Sequence, residues 1–297
     1  MNKSFEILKE IYKPYKITIK GSTTILNTTS GNFVIKKRNN NIHNLYNYLI
    51  SRNFDYFPKL VDDSRDELNV YEYIDGVSMP NDQKASDLIK LLALLHNKTS
   101  YNKEVSSDTY KKIYENILEN IDYLLFYYNE LFDKLVGEEY YSPATYLFLR
   151  NYQAIFNCLN FSKNELESWY LEVKDKNKQR VSLVHNNIEL DHFIKSNKDY
   201  LISWDRAITD TPILDIVHFY RKEFYKIEAS SILEEYLDNM SLNDDEKKLL
   251  FICISIPSKI EFKGSEKENT EEVRKVLDYI FKTEKLLKPY YSENKEE

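Results

Sequence analysis

The chain has 297 residues and a mass of 35.5 kDa, enough for one large domain or two lobes and too much for a peptide hormone or a stapled miniprotein. Forty-one Lys and Arg against 48 Asp and Glu leave a formal net charge of −7, and with no segregated basic stretch this argues against a nucleic-acid partner. The two cysteines, Cys158 and Cys253, lie in apolar helical context, which speaks against a disulfide framework or a Cys-based zinc site and for a reducing compartment.

In chain order, residues 3–12 place Phe5, Leu8 and Tyr12 on one face of a short helix that stops before Pro14. The charges in this opening segment do not fit a secretory signal, and apolar runs such as 249–256 are too short to cross a bilayer. A soluble, cytoplasmic protein with no membrane partner is the expectation. Strands are predicted over 15–20, 23–28 and 32–37, the last two joined by a turn at Ser30, Gly31 and Asn32. Ile42, Leu45, Tyr46, Leu49 and Ile50 then make a helical stripe. Two further strands are expected at Leu60 and Val61 and over 68–74, either side of a polar turn at 62–67.

The segment DGVSMPND carries turn chemistry, and the boundary between an N-lobe (1–76) and a helical C-lobe (77–297) is placed there. Helices follow around Leu88, Leu91, Leu92 and Leu95, along a long Tyr-rich stripe from Tyr110 to Leu135 that ends before Gly137, and over 144–159. The Tyr-rich stripe reads as a core face with hydroxyls reaching water. Cap-x-x-acid spacings at Asn243/Glu246 and Asn269/Glu272 predict two more helix starts, Pro257 ends the first of these helices, and the tail 291–297 is expected to fray. One interruption, 180–220, holds a strand (181–184), a polar loop, and a hairpin of 192–195 with 200–204. A small β island inside helices commonly holds a loop in place for chemistry.

The stretch SLVHNNIELDHFI followed by LISWDRAITDTPILDI resembles the catalytic segment of the aminoglycoside phosphotransferase and choline kinase superfamily. Supporting similarities are the strand Phe33-Val34-Ile35-Lys36, the connection Tyr71-Glu72-Tyr73-Ile74-Asp75-Gly76 and the helix segment ending at Leu95-His96. The resemblance spans about residues 15–220 and implies an α+β, two-lobed protein-kinase-like fold. A small five-stranded antiparallel N-lobe with one inserted helix would precede a mainly helical C-lobe carrying a small β hairpin. It further implies that Lys36 meets nucleotide phosphates and that Glu72, Tyr73 and Ile74 connect the lobes beside the nucleotide, with ATP as cofactor.

The family's chemical residues are replaced. His185 is kept, but Asn187 stands where the resemblance expects the catalytic aspartate. His192 replaces the metal-binding asparagine and Ser203 the metal-binding aspartate, while Pro212 and Asp215 keep the element that braces the loop. An amide has no useful basicity, and magnesium prefers hard anionic oxygen to a hydroxyl or an imidazole, so the substitutions weigh against magnesium and against catalysis. Losing one such group commonly costs about 10³-fold or more. Asn44 and Asn47 stand on the inserted helix where an acidic partner for Lys36 is expected, and Gly21 alone replaces a glycine-rich phosphate loop.

His185 reads as a structural histidine bonded to backbone, and His185, Asp191 and His192 fit no compact zinc spacing. The expectation is a catalytically impaired pseudokinase acting as a binding or scaffold module for a protein or small molecule. The alternative is an active ATP- and magnesium-dependent small-molecule phosphotransferase using displaced carboxylates, with Asp205 as replacement ligand or Asp191. The Asn-, Lys-, Ile- and Tyr-rich composition looks like an AT-rich genome, and firmicute spore-coat proteins include kinase-like members with eroded motifs, so a spore location is the associated suggestion.

Overall fold

The computed structural model describes residues 3–64 and 67–292. The tip of the polar turn at 65–66 and most of the tail expected to fray lie outside the described residues. Five strands, β1 (Lys16–Lys20), β2 (Thr23–Thr28), β3 (Gly31–Lys37), β4 (Leu60–Asp62) and β5 (Leu68–Glu72), form an antiparallel sheet of order β1-β2-β3-β5-β4. Helix α1 (Lys3–Tyr12) covers one face, burying Leu8 against Leu26, Ile35 and Val70. Helix α2 (Ile42–Ser51) is inserted between β3 and β4 and buries Ile42, Tyr46 and Leu49. Helix α3 (Asn81–Thr99) follows the DGVSMPND connection and buries the expected Leu88, Leu91, Leu92 and Leu95.

Compactness groups the chain differently from the turn-based division at residue 76. Residues 1–99 and 183–208 make one unit, and 100–182 with 209–297 make the other. The loop segment 183–208 therefore clusters with the sheet and α3. In it, a 3₁₀ turn (Leu190–His192) leads into the hairpin β8 (Phe193–Lys195) and β9 (Asp199–Leu201). The predicted second strand ran to residue 204, but Ser203 turns left-handed at φ 69°, ψ 48°, and Trp204 opens a second 3₁₀ turn. That turn lets the buried Trp204 indole donate to the Leu201 carbonyl at 2.8 Å.

The second unit is helical, with α4 (Ser107–Val136), α5 (Pro143–Val173), α6 (Ile213–Glu223), α7 (Ala229–Asn239), α8 (Asp244–Ser255) and α9 (Glu266–Ser292). Helix α5 packs against α4, α8 and α9. It runs well past the predicted end at residue 159 because Leu166, Trp169 and Val173 continue its buried face beyond a polar stretch. Asn243 and Glu246 form the expected capping box of α8. The last helix starts before Asn269: Glu268 Oε2 accepts from Ser265 N at 2.8 Å, and Asn269 Oδ1 accepts from Gly264 N at 2.9 Å. Strands β6 (Tyr101–Glu104), β7 (Lys178–Val184) and β10 (Ile208–Asp210) make a small sheet of order β10-β7-β6. The first and last of these were not expected, since β6 is exposed throughout and neither alternates apolar with polar residues.

Three tyrosine hydroxyls of α4 reach main chain, where the stripe was expected to reach water. Tyr110 donates to the Lys178 carbonyl at 2.9 Å, Tyr127 to that of Ile260 at 2.6 Å and Tyr128 to that of Ser258 at 2.8 Å. These bonds satisfy carbonyls in segments that no helix partner serves. Both cysteines are free, and burial holds their thiols up, Cys158 to about 12 and Cys253 to about 11. Among the described residues no helix is long and apolar enough to cross a membrane.

The buried Tyr128 hydroxyl also accepts from Ile260 N at 3.1 Å, so Tyr128→Phe strands two main-chain groups at once. It is expected to lower unfolding stability by about 1–3 kcal/mol in urea titration. A change within about 0.5 kcal/mol would show that those groups find other partners.

Candidate functional site

A cleft of about 640 Å³ opens within the first unit. Strands β2 and β3 supply Ile25 and Val34, helix α2 supplies Ile42 and Tyr46, and the hairpin segment supplies Ile194 and Ile202. Along one side runs Tyr71 and the connection Glu72, Tyr73 and Ile74. Of the residues expected from the sequence, the cleft gathers Lys36, Glu72, Tyr73, Ile74, His192, Ser203 and Asp205, together with Asp191. His185 and Asn187 are not among its lining residues.

Strand alternation sets Lys36. On β3, Ile35 packs into the sheet core opposite Val70, so Val34 and Lys36 face the cleft and Lys37 points out. Lys36 Nζ donates to Ser203 Oγ at 3.0 Å and stands 3.6 Å from Asp205 Oδ2. Asn44 and Asn47, expected near this lysine, are exposed; the buried stripe of α2 presents Tyr46 to the cleft instead. Burial, then the neighbouring Tyr71 and Asp205, push the Tyr46 hydroxyl far above its ordinary value. Tyr71 is likewise raised by burial, although the bond donated to its oxygen by Asn69 Nδ2 at 3.2 Å opposes the shift. Both hydroxyls stay protonated and serve as neutral polar groups beside Asp205.

The loop before the hairpin is held by its own side chains. His185, fully buried, has Nε2 at 2.9 Å from the Ile202 carbonyl, so that nitrogen carries the proton and donates. Its ring meets Trp204 edge-on at 4.7 Å, and Phe54 and Phe57 complete the aromatic surround of Trp204. Asn186 sits left-handed at φ 56°, its amide donating to the Arg206 carbonyl at 3.2 Å. Asn187 contributes its carbonyl, which accepts from His192 Nδ1 at 2.6 Å. The other ring nitrogen of His192 lies 3.1 Å from Glu189 Oε1. Both nitrogens of that imidazole are thus engaged within the loop.

The β island anchors this arrangement. Leu201 N donates to the Tyr56 carbonyl at 2.8 Å, and Lys198 binds the Asp55 carboxylate at 2.7 Å. Lys195 lies between Asp87 and Asp199 at 3.1 and 2.8 Å. Val77 N donates to the Lys195 carbonyl at 2.8 Å, and a Cβ on Gly76 would fall 2.7 Å from Ile194 Cγ2, so this glycine is there for close approach. On the cleft edge, Glu72 N donates to the Lys59 carbonyl at 3.0 Å while Glu72 Oε1 accepts from Lys59 N at 2.8 Å. Tyr73 N turns the other way, to Asn32.

Sequence reasoning missed Tyr46, Tyr71 and Glu189. Tyr46 was legible only as one member of an apolar stripe, and Glu189 carried the single signal of standing three residues before His192.

The left-handed turn at Ser203 makes a graded prediction. Ser203→Asn, whose side chain tolerates that region, should fold with stability close to the parent, whereas Ser203→Val should lose about 1–2 kcal/mol in urea unfolding. A valine variant as stable as the parent would mean the turn is not held at this geometry.

No protein-family model matches the sequence, and no curated protein matches it. Solved structures do. An aminoglycoside phosphotransferase from Alicyclobacillus acidocaldarius superposes with a TM-score of 0.73 at 11% identity, over 94% of this chain and 92% of that one. The AMP-bound spectinomycin phosphotransferase gives 0.54 at 13% identity, covering 96% of this chain and 92% of that chain. The same enzyme with ADP and spectinomycin gives 0.53 at 14%, over 94% and 97%. At such identities the likeness is one of fold. The five-stranded antiparallel sheet with its inserted helix, followed by a helical part, is the α+β protein-kinase-like fold of the aminoglycoside phosphotransferases.

Proposed function

We propose that this chain is a kinase-fold binding module that holds a purine nucleoside or nucleotide in its cleft and has lost metal-assisted phosphoryl transfer. The observation that carries the reading is the 3.0 Å bond from Lys36 Nζ to Ser203 Oγ, at the position where the resemblance expects a metal-binding carboxylate. A neutral hydroxyl there gives the lysine an acceptor without giving a divalent cation an anionic ligand.

The donor set does not fit magnesium. Ser203 Oγ already accepts from Lys36, both nitrogens of His192 face loop oxygens, and Asp205 stands beside the Lys36 ammonium. Among the described residues no group of three or more His, Cys, Asp or Glu is gathered as a metal site needs. Asn187 can orient a hydroxyl by hydrogen bonding but cannot accept its proton usefully. Asp205 and Asp191 line the cleft as the displaced carboxylates an active enzyme would need, but Asp205 is the lysine's counter-ion at 3.6 Å.

Purine binding is supported by the form of the cleft. Apolar side chains from β2, β3 and the hairpin segment offer faces for a flat ring. The connection Glu72, Tyr73 and Ile74 lines one edge. The spectinomycin phosphotransferase that shares the fold was crystallised with AMP and with ADP.

The test is thermal unfolding of the full chain with AMP, in magnesium and in EDTA, beside an assay for ATP turnover. The expected result is a rise of several degrees at saturating AMP, equal in the two buffers, with no turnover. A rise that needs magnesium, or release of phosphate from ATP, overturns the reading. Asn187→Asp combined with Ser203→Asp restores two carboxylates and should make stabilisation by ATP depend on magnesium. If ATP stabilises that variant no better with magnesium than without it, the alignment of the loop is wrong.

A further inference from the structure

Resting on the purine reading above, we infer that the cleft is selective for purine nucleosides and their monophosphates over triphosphates, the reverse of a kinase's preference. The argument is one of charge. Among the described residues the cleft is lined by Lys20 and Lys36 and by the carboxylates of Glu72, Asp191 and Asp205, with Glu189 turned to His192 at 3.1 Å, so carboxylates outnumber lysines even with that pair set aside. Lys36 is the cation best placed for phosphate, since its ammonium is held at Ser203, yet it already has Asp205 at 3.6 Å. A phosphate chain reaching Lys36 must therefore share it with a carboxylate, and each further phosphate adds negative charge to an acidic cleft.

In an ordinary kinase site bound magnesium removes that conflict by bridging phosphate to carboxylate. Here the residues in those positions are a serine hydroxyl bonded to lysine and a histidine engaged on both sides. The remaining contacts favour the uncharged part of the ligand. Ile25, Val34, Ile194 and Ile202 are apolar, and Tyr46 and Tyr71 present protonated hydroxyls. The connection Glu72–Ile74 lines one edge of the cleft, beside these apolar faces. The ligand class is a purine nucleoside or its monophosphate.

Titration calorimetry of the full chain with adenosine, AMP and ATP in EDTA at low salt tests this. Adenosine should bind at least about 10-fold tighter than ATP, the scale set by one like-charge pair at close range in partly screened surroundings. AMP should fall between them, and added salt should narrow the gap. Asp205→Asn, a change at a half-exposed side chain that leaves the core untouched, should raise ATP affinity more than adenosine affinity and so shrink the ratio. ATP binding as tightly as adenosine or tighter in EDTA, or a ratio unmoved by Asp205→Asn, overturns this inference while leaving the purine reading standing. Failure of all three ligands to bind overturns both.

Discussion

The bond between Lys36 and Ser203 joins two residues that are 167 positions apart in sequence, and the candidate site takes its character from it. A lysine ammonium in a cleft needs an oxygen acceptor. Here the oxygen is a hydroxyl, brought to the lysine by a left-handed residue at φ 69°. A carboxylate stands two residues along, on Asp205, as a partly exposed counter-ion. The ammonium is thereby satisfied by groups of this chain alone.

That geometry depends on rigid neighbours. The turn at Ser203 is followed at once by Trp204, whose ring is enclosed by Phe54, Phe57 and His185 and whose indole nitrogen is bonded to Leu201. His185 returns the support by donating to Ile202. The residues that keep the loop in place are thus the buried aromatic ones, and two of them, His185 and Trp204, lie in the stretches where the sequence resembles a phosphotransferase. Scaffold and chemistry are separable because they rest on different physics. Aromatic packing resists substitution through volume and shape, while a metal ligand is fixed only by charge and reach.

The loop that borders the cleft is braced by its own side chains. His192 spans from the Asn187 carbonyl to the Glu189 carboxylate, an internal brace. Tyr46 of α2 faces the cleft with Tyr71 of β5, while Asn44 and Asn47 of α2 are exposed. Phenols are neutral when buried, and burial keeps Tyr46 and Tyr71 so. The net effect is a cleft whose negative charge comes from Asp205, Asp191, Glu72 and Glu189 and whose interior is apolar.

The sequence by itself determined the order of strands and helices in the sheet-bearing part, because period-two and period-3.6 patterns there are strong and punctuated by Pro14, Gly31 and the DGVSMPND connection. It also determined, on the alignment the resemblance gives, that Asn187, His192 and Ser203 differ from the phosphotransferase pattern while His185 keeps it, since that is a matter of residue identity alone. It left hidden β6 and β10, which have no alternation to read, the extension of α5, whose buried face resumes after polar residues, and the true start of α9 at a Ser265–Glu268 pair. Only the tertiary structure decided that Lys36 meets Ser203 and Asp205, that Tyr46 and not Asn44 or Asn47 looks into the cleft, and that His192 is held on both sides. Those are contacts between segments distant in the chain or facing choices on a helix, and no local pattern encodes which oxygen a lysine will find.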